Sequence, residues 1–199
     1  MKTKVLKSSQ EQASSAWIEY LRILREEALI DKLSAQDVNL EKALNALNEI
    51  KEFIASPEHI LGSLQTKHGE VAEHMQVGIA NAEQLIQGKS PTHTFEGVGR
   101  LAMEDYLRDG KMIQSKFYNG VKGTFQAVCK HFSDYPQYIS EGGSYDIPKD
   151  QYEQLMDIYH RGETLRSSLH TSEETLFKNM KAWEAENGIS IKEVVKPAV

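Results

Sequence analysis

Residues 104–118, EDYLRDGKMIQSKFY, constrain this chain more than any other stretch. Asp109-Gly110 is a two-residue turn signal, and apolar and polar residues alternate on both sides of it. Those are the marks of a β-hairpin whose turn needs positive φ at its central residues. With Asp109 and Gly110 central, Arg108 pairs with Lys111, Tyr106 with Ile113 and Asp105 with Gln114. Cross-strand partners share a face, as do residues two apart on one strand. Asp105, Gln114 and Lys116 therefore converge on one side, with Tyr106, Ile113, Ser115 and Phe117 on the other. A slip of one residue would scatter the three polar groups.

The surroundings of this hairpin are helical. In residues 10–34, Trp17, Tyr20, Leu21, Leu24, Ala28 and Leu29 recur at three- and four-residue spacings, the stripe of an amphipathic helix. A second helix is expected from Asp37, as N-cap, to Ser56-Pro57, with Leu40, Ala43, Leu44, Leu47, Ile50 and Ile54 as its stripe. The two are expected to pair as an antiparallel helical hairpin with both stripes in a core. From Pro57 to about Gln87 the pattern is again helical, with a break near Lys67-His68-Gly69; Val71, Met75, Ile79, Ala82 and Ile86 line one side. Thr92, Thr94, Phe95 and Val98 favour extended chain before the hairpin. A helix through TFQAVCKHFSDY follows, then a short strand at Tyr145-Asp146-Ile147 that Pro148 ends. Two more helices come next, and the tail ISIKEVVKPAV ends without closure, as a chain continuing in a longer parent would.

This order predicts an α+β fold: a small mixed sheet flanked by helices, with a helical N-terminal extension. The expected divisions are a helical hairpin over 1–56, a core over 57–165, and a C-terminal helix and tail over 166–199 that leads on to any further domain. A hydrophobic content of 40% and a charged content of 26% suit a globular chain. No apolar run reaches the roughly 18–20 residues of a membrane span, and no apolar stretch follows the N-terminal lysines as in a secretory signal. Cys129 is the single cysteine, which excludes an internal disulfide framework and a cysteine-based zinc site. The cytoplasm is the expected compartment. A net charge of −6 argues against binding nucleic acid through overall charge and leaves room for a local basic patch.

Asp105 with the amide oxygen of Gln114 makes a hard-oxygen pair, suited to Mg²⁺ or Mn²⁺ more than to zinc. An ammonium beside it, Lys116, would orient an attacking water or offset charge on a phosphorane-like transition state. The same short spacing also suits a solvated strand face on which polar residues alternate.

Asp105 followed by IQSKFY, after a helix bearing Glu70 in HGEVAE, resembles the PD-(D/E)xK nuclease superfamily, in the QxK variant of Mrr-like restriction endonucleases. The resemblance covers about residues 66–160. It implies a restriction-endonuclease-like core: a helix carrying a glutamate, a strand, a hairpin carrying the Asp and the QxK pair, a helix and another strand. It further implies that Asp105, Gln114, the backbone carbonyl of Ser115 and Glu70 ligate Mg²⁺ or Mn²⁺, while Lys116 positions or activates the water. Glu104 stands before Asp105 where the family's name has proline, and Gln114 lowers the charge of the site, which puts more weight on Glu70. Without the resemblance, Glu70 reads more readily as a surface helix residue. The activity implied is hydrolysis of nucleic-acid phosphodiester bonds, DNA in preference to RNA, in the cytoplasm of a bacterium, within defence, restriction or toxin action.

Glu73 and His74 lie three and four residues from Glu70 on the same helical face, as supporting groups or as solvated side chains. GVGR is a lone glycine pair, without the form of a phosphate loop. Residues 100–130 hold six basic residues against three acidic ones, so positive charge gathers near the hairpin. Arg100, Lys122, Tyr118 and Asn119 are the expected nucleic-acid contacts; Arg100 equally suits a plain surface position. The histidines show no metal-ligand spacing, and Cys129 reads as packing. The competing reading is a non-catalytic helical adaptor, or an inactivated nuclease fold that binds nucleic acid or protein. The N-terminal helices are its contact surface, either for a second copy of the chain or for a partner protein.

Overall fold

The computed structural model describes residues 2–56, 67–99 and 102–198, with side chains from Ser14 onward in the first segment and from Gly69 in the second. The fold is α+β. Helix α1 (Lys2–Ala55) and helix α2 (Lys67–Ile86) precede strands β1 (His93–Thr94), β2 (Tyr106–Arg108) and β3 (Lys111–Ser115). Helix α3 (Val121–Asp134), strand β4 (Ser144–Ile147) and helix α4 (Lys149–Thr164) follow. A 3₁₀ turn (Arg166–Ser168), helix α5 (Thr171–Asn187), helix α6 (Ile191–Val194) and strand β5 (Val195–Pro197) complete the described chain.

The five strands lie in the order β1-β2-β3-β4-β5. β1, β2 and β3 are antiparallel, whereas β3, β4 and β5 run parallel. The parallel step from β3 to β4 is made through α3, because parallel neighbours need a crossover and not a tight turn. On one face, Tyr106 and Ile113 are buried under Val77 of α2 and Phe95. On the other, Tyr145, Ile147 and Val195 pack with Phe125 and Val128 of α3, Leu155 and Ile158 of α4, and Met180 and Trp183 of α5. The sheet is thus the middle of three layers.

Three expectations are corrected. The helical hairpin over 1–56 is a single 54-residue helix. No proline or glycine interrupts the sequence before Pro57, and Asp37 sits inside the helix at small cost. Antiparallel pairing does occur, but between the C-terminal part of α1 and α2: a Cβ at Gly78 would lie 2.3 Å from Ile50 Cδ1, and the His74 ring stacks on Phe53. The stripe around Trp17 is not core, since every described residue from Ser14 to Val38 is exposed. On α2 the buried positions are Gln76, Val77, Ala80 and Ala82, while Met75 and Ile86 are exposed. The tail is no loose end. β5 pairs with β4, and Ile191 and Val195 are fully buried, so the C-terminal helix and tail pack into the core on the α3–α5 face of the same sheet. The expected helical pattern over 57–66 lies outside the described residues. No described helix is long and apolar enough to cross a membrane.

Candidate functional site

The hairpin forms in the expected register: Tyr106 opposite Ile113, Leu107 opposite Met112 and Arg108 opposite Lys111. Asp109 at φ 52° and Gly110 at φ 73° supply the two left-handed residues that a type I′ turn demands. The Asp109 N–H donates to Thr92 O at 2.9 Å, which ties the turn to β1. One residue beyond the strand, the Asp105 N–H still donates to Ile113 O at 2.8 Å. That bond fixes the Asp105 backbone beside the end of β3.

Asp105 Oδ2 accepts two hydrogen bonds, from Gln114 Nε2 at 2.5 Å and from the Ser115 N–H at 2.7 Å. Burial pushes its carboxyl above the usual range; these bonds and the nearby Lys116 ammonium act the other way. Lys116 is anchored through its own N–H, which donates to Asp146 O at 2.9 Å. Burial lowers the Lys116 pKa, opposed by the charges of Asp105 and Glu73. The third titratable member is Glu73. Its carboxyl is pushed up to about 8, first by burial, then by the charges of Asp105 and Glu70, with Lys116 pulling back.

The structure therefore brings Asp105, Gln114 and Lys116 together and adds Glu73. Glu70 lies one turn earlier on α2, in its first turn, where its charge is felt by Glu73 and His74. Between the two glutamates, Glu73 is the one that Lys116 feels. The spacing signal that could have found it was present, three residues after Glu70 on one helical face. His74 is stacked between rings, 3.6 Å from Phe53 and 4.5 Å from Phe95 by centroid, and burial lowers its pKa.

A second residue that sequence reasoning missed is His131. Its Nε2 lies 2.9 Å from Met103 O and its Nδ1 3.0 Å from Tyr145 Oη. The carbonyl can only accept, so Nε2 carries the proton and Nδ1 accepts from the tyrosine hydroxyl. His131 thereby pins the chain two residues before Asp105.

The predicted nucleic-acid contacts are more dispersed. Tyr118 is exposed, with its backbone fastened to Thr124 and Gln151. Asn119 and Lys122 line a groove of about 300 Å³ at the start of α3, facing Gln154 and Glu173. Arg100 lies outside the described residues. The gathering of positive charge is thinner than the sequence count: Arg108 is paired with Asp146 on the opposite sheet face at 2.8 Å, and Lys130 with Asp134 at 2.7 Å.

For a divalent ion, the available donors are all oxygens: two carboxyl groups, the Gln114 amide oxygen and the Ser115 carbonyl. That set suits Mg²⁺ or Mn²⁺. A carboxyl held near pH 8 beside another carboxylate is one that a cation would relieve. The Gln114 amide turns its nitrogen to Asp105, so ligation through oxygen requires half a turn of the amide. Among the described residues no three His, Cys, Asp or Glu side chains are arranged to hold an ion by themselves, so the amide and carbonyl oxygens are needed. No protein family, curated protein or solved structure matches the chain.

Proposed function

We propose that this chain is a divalent-metal-dependent nuclease that hydrolyses phosphodiester bonds, DNA in preference to RNA, in bacterial defence, restriction or toxin action in the cytoplasm. The observation that carries the reading is the meeting of Asp105, Gln114 and Lys116 beside a half-buried acid from the preceding helix. The element order α2-β1-β2-β3-α3-β4 supports it, since that is the order the PD-(D/E)xK resemblance implies. Asp105, Gln114 Oε1, the Ser115 carbonyl and Glu73, with Glu70 behind it, would hold Mg²⁺ or Mn²⁺. When bound, such an ion supplies positive charge and acidifies a water toward neutral pH.

The chain's own residues do the rest. Asp105 is prealigned by the Ser115 N–H, so its carboxylate need not reorganise. Lys116 directs an ammonium at the same point and offsets negative charge gathering on a phosphate. Its lowered pKa eases release of a proton to the departing oxygen. Glu73 holds a proton below about pH 8 and gives it up as positive charge arrives.

The test is a cleavage screen with Mg²⁺ or Mn²⁺ across supercoiled DNA, linear DNA and tRNA. Wild type cuts, and Lys116→Ala abolishes cutting. Activity that survives in Lys116→Ala, or in excess chelator, removes the assignment. The amide nitrogen turned toward Asp105 favours a second reading, an inactivated nuclease fold that binds nucleic acid. That reading predicts retained binding with no cleavage in any metal.

A further inference from the structure

Helix α1 leaves its own fold. Asn39, Ala46, Ile50 and Phe53 lie against α2 and the turn after it, and residues 14–38, the described ones before Asn39, have no such cover. At 1.5 Å per residue, residues 2–38 project by roughly 55 Å. Ten large apolar side chains stand exposed between Ser14 and Val38. Trp17, Leu21 and Leu24 lie on one side of the helix; Ile18, Leu29 and Leu33 lie toward the other. At half exposure, about 80 Å² each, the ten amount to roughly 800 Å² of apolar surface. That area is spread around the helix, so a first pair covers the Trp17 side and a further pair the Ile18 side before one partner's share of a standard interface is reached.

We infer that this arm pairs with the arm of a second copy of the chain, antiparallel and centred near Trp17. The pairing is chosen by charge. The stretch 2–7 carries three lysines and no acid, and the stretch 26–31 carries Glu26, Glu27 and Asp31 with no base. Antiparallel arms centred on Trp17 set each basic stretch beside the partner's acidic one, whereas a parallel pair sets like beside like. Residues 2–38 hold six acidic and six basic side chains, so the arm carries no net positive charge to draw it to an anionic membrane surface. A two-fold pair also closes on itself. It leaves the Ile18 side of each arm for a second such pair, so assemblies are even-numbered.

Light scattering behind size exclusion is expected to give twice the 22.5 kDa of one chain, or an even multiple. Leu21→Glu with Leu24→Glu is expected to give monomer with an unchanged circular-dichroism spectrum. For the direction of pairing, Trp17→Cys and Ala28→Cys, both on the Trp17 side, are each made in a Cys129→Ser chain. Position 17 forms an intermolecular disulfide on mild oxidation. Position 28 does not, because antiparallel arms separate the two copies by roughly 33 Å. Equal cross-linking at both positions overturns the antiparallel pairing. A monomeric wild type overturns the whole inference, whether it stays in solution or sediments with phosphatidylcholine–phosphatidylglycerol vesicles.

Discussion

Glu73→Gln is expected to stabilise the metal-free protein, and by an amount that depends on pH. An acid whose folded-state pKa is raised keeps its proton in the fold after the unfolded chain has lost it. Its contribution is fully present below the ordinary carboxyl range and is lost as pH rises toward the folded value. For Glu73 the window runs from 4.5 to about 8. At 1.36 kcal/mol per unit, the wild type forfeits about 3 kcal/mol between pH 4.5 and pH 7 through this one group. Glutamine keeps the shape of the protonated acid and has no proton to lose. The difference between the two proteins should then be near zero at pH 4.5 and approach about 3 kcal/mol at pH 7, worth roughly 6–12 °C in Tm for a chain of this size. Titrating groups remote from Glu73 are common to both proteins and cancel in the difference. The assay is urea unfolding at several pH values, followed by the fluorescence of the buried Trp183. Saturating Mg²⁺ should narrow the gap at pH 7, because positive charge lowers the Glu73 pKa in the wild type alone. Parallel pH profiles, or a Gln variant no more stable at pH 8, would refute the crowding of carboxyls on which the site depends.

Other outcomes follow from the packing. Asp146 is fully buried and accepts from Tyr106 Oη at 2.6 Å and from both Arg108 terminal nitrogens at 2.8 and 3.1 Å. Asp146→Ala leaves a partly buried guanidinium uncompensated and is expected to cost about 3 kcal/mol in urea unfolding. Gly162→Ala places a Cβ 2.2 Å from the Phe177 ring, so an overpacking loss of about 1–3 kcal/mol outweighs the gain in helix propensity. Gly123→Ala meets nothing nearer than 3.7 Å and should gain about 0.5–1 kcal/mol; the opposite order of the two glycine variants refutes that packing. Burial pushes the Cys129 thiol up to about 12, so it should react with a thiol reagent at pH 8 only after unfolding, a contrast read by absorbance.

The hairpin was legible because its information is local. Two residues that tolerate positive φ set the turn, the turn sets the register, and the register sets which side chains meet. The strand at Tyr145-Asp146-Ile147 and the opening of α4 after Pro148 were legible for the same reason. The N-terminal helix was misread where information is not local. Three- and four-residue spacing reports that a helix has apolar sides, not that the chain contains anything to cover them. Asp37 has the chemistry of a cap, yet with no breaker nearby the helix simply runs through it. β5 is three residues long, and only its pairing with β4 makes it a strand.

The acid of the site was half legible, and the reason lies in how α2 is seated. Glu70 and Glu73 share a helical face, so sequence places both near the hairpin and cannot rank them. Their ranking depends on the rotation of α2 about its axis. Gly78 sets that rotation by admitting Ile50 of α1 against the backbone, while His74 is held between Phe53 of α1 and Phe95 beyond β1. Seated this way, Glu73 is the glutamate whose charge reaches Lys116, and Glu70 acts on it from one turn away. The base of the long helix, which contributes no group to the cluster, thus decides which carboxyl completes it. A site assembled from a self-sufficient hairpin and a helix seated by a remote neighbour is readable only as far as the hairpin goes.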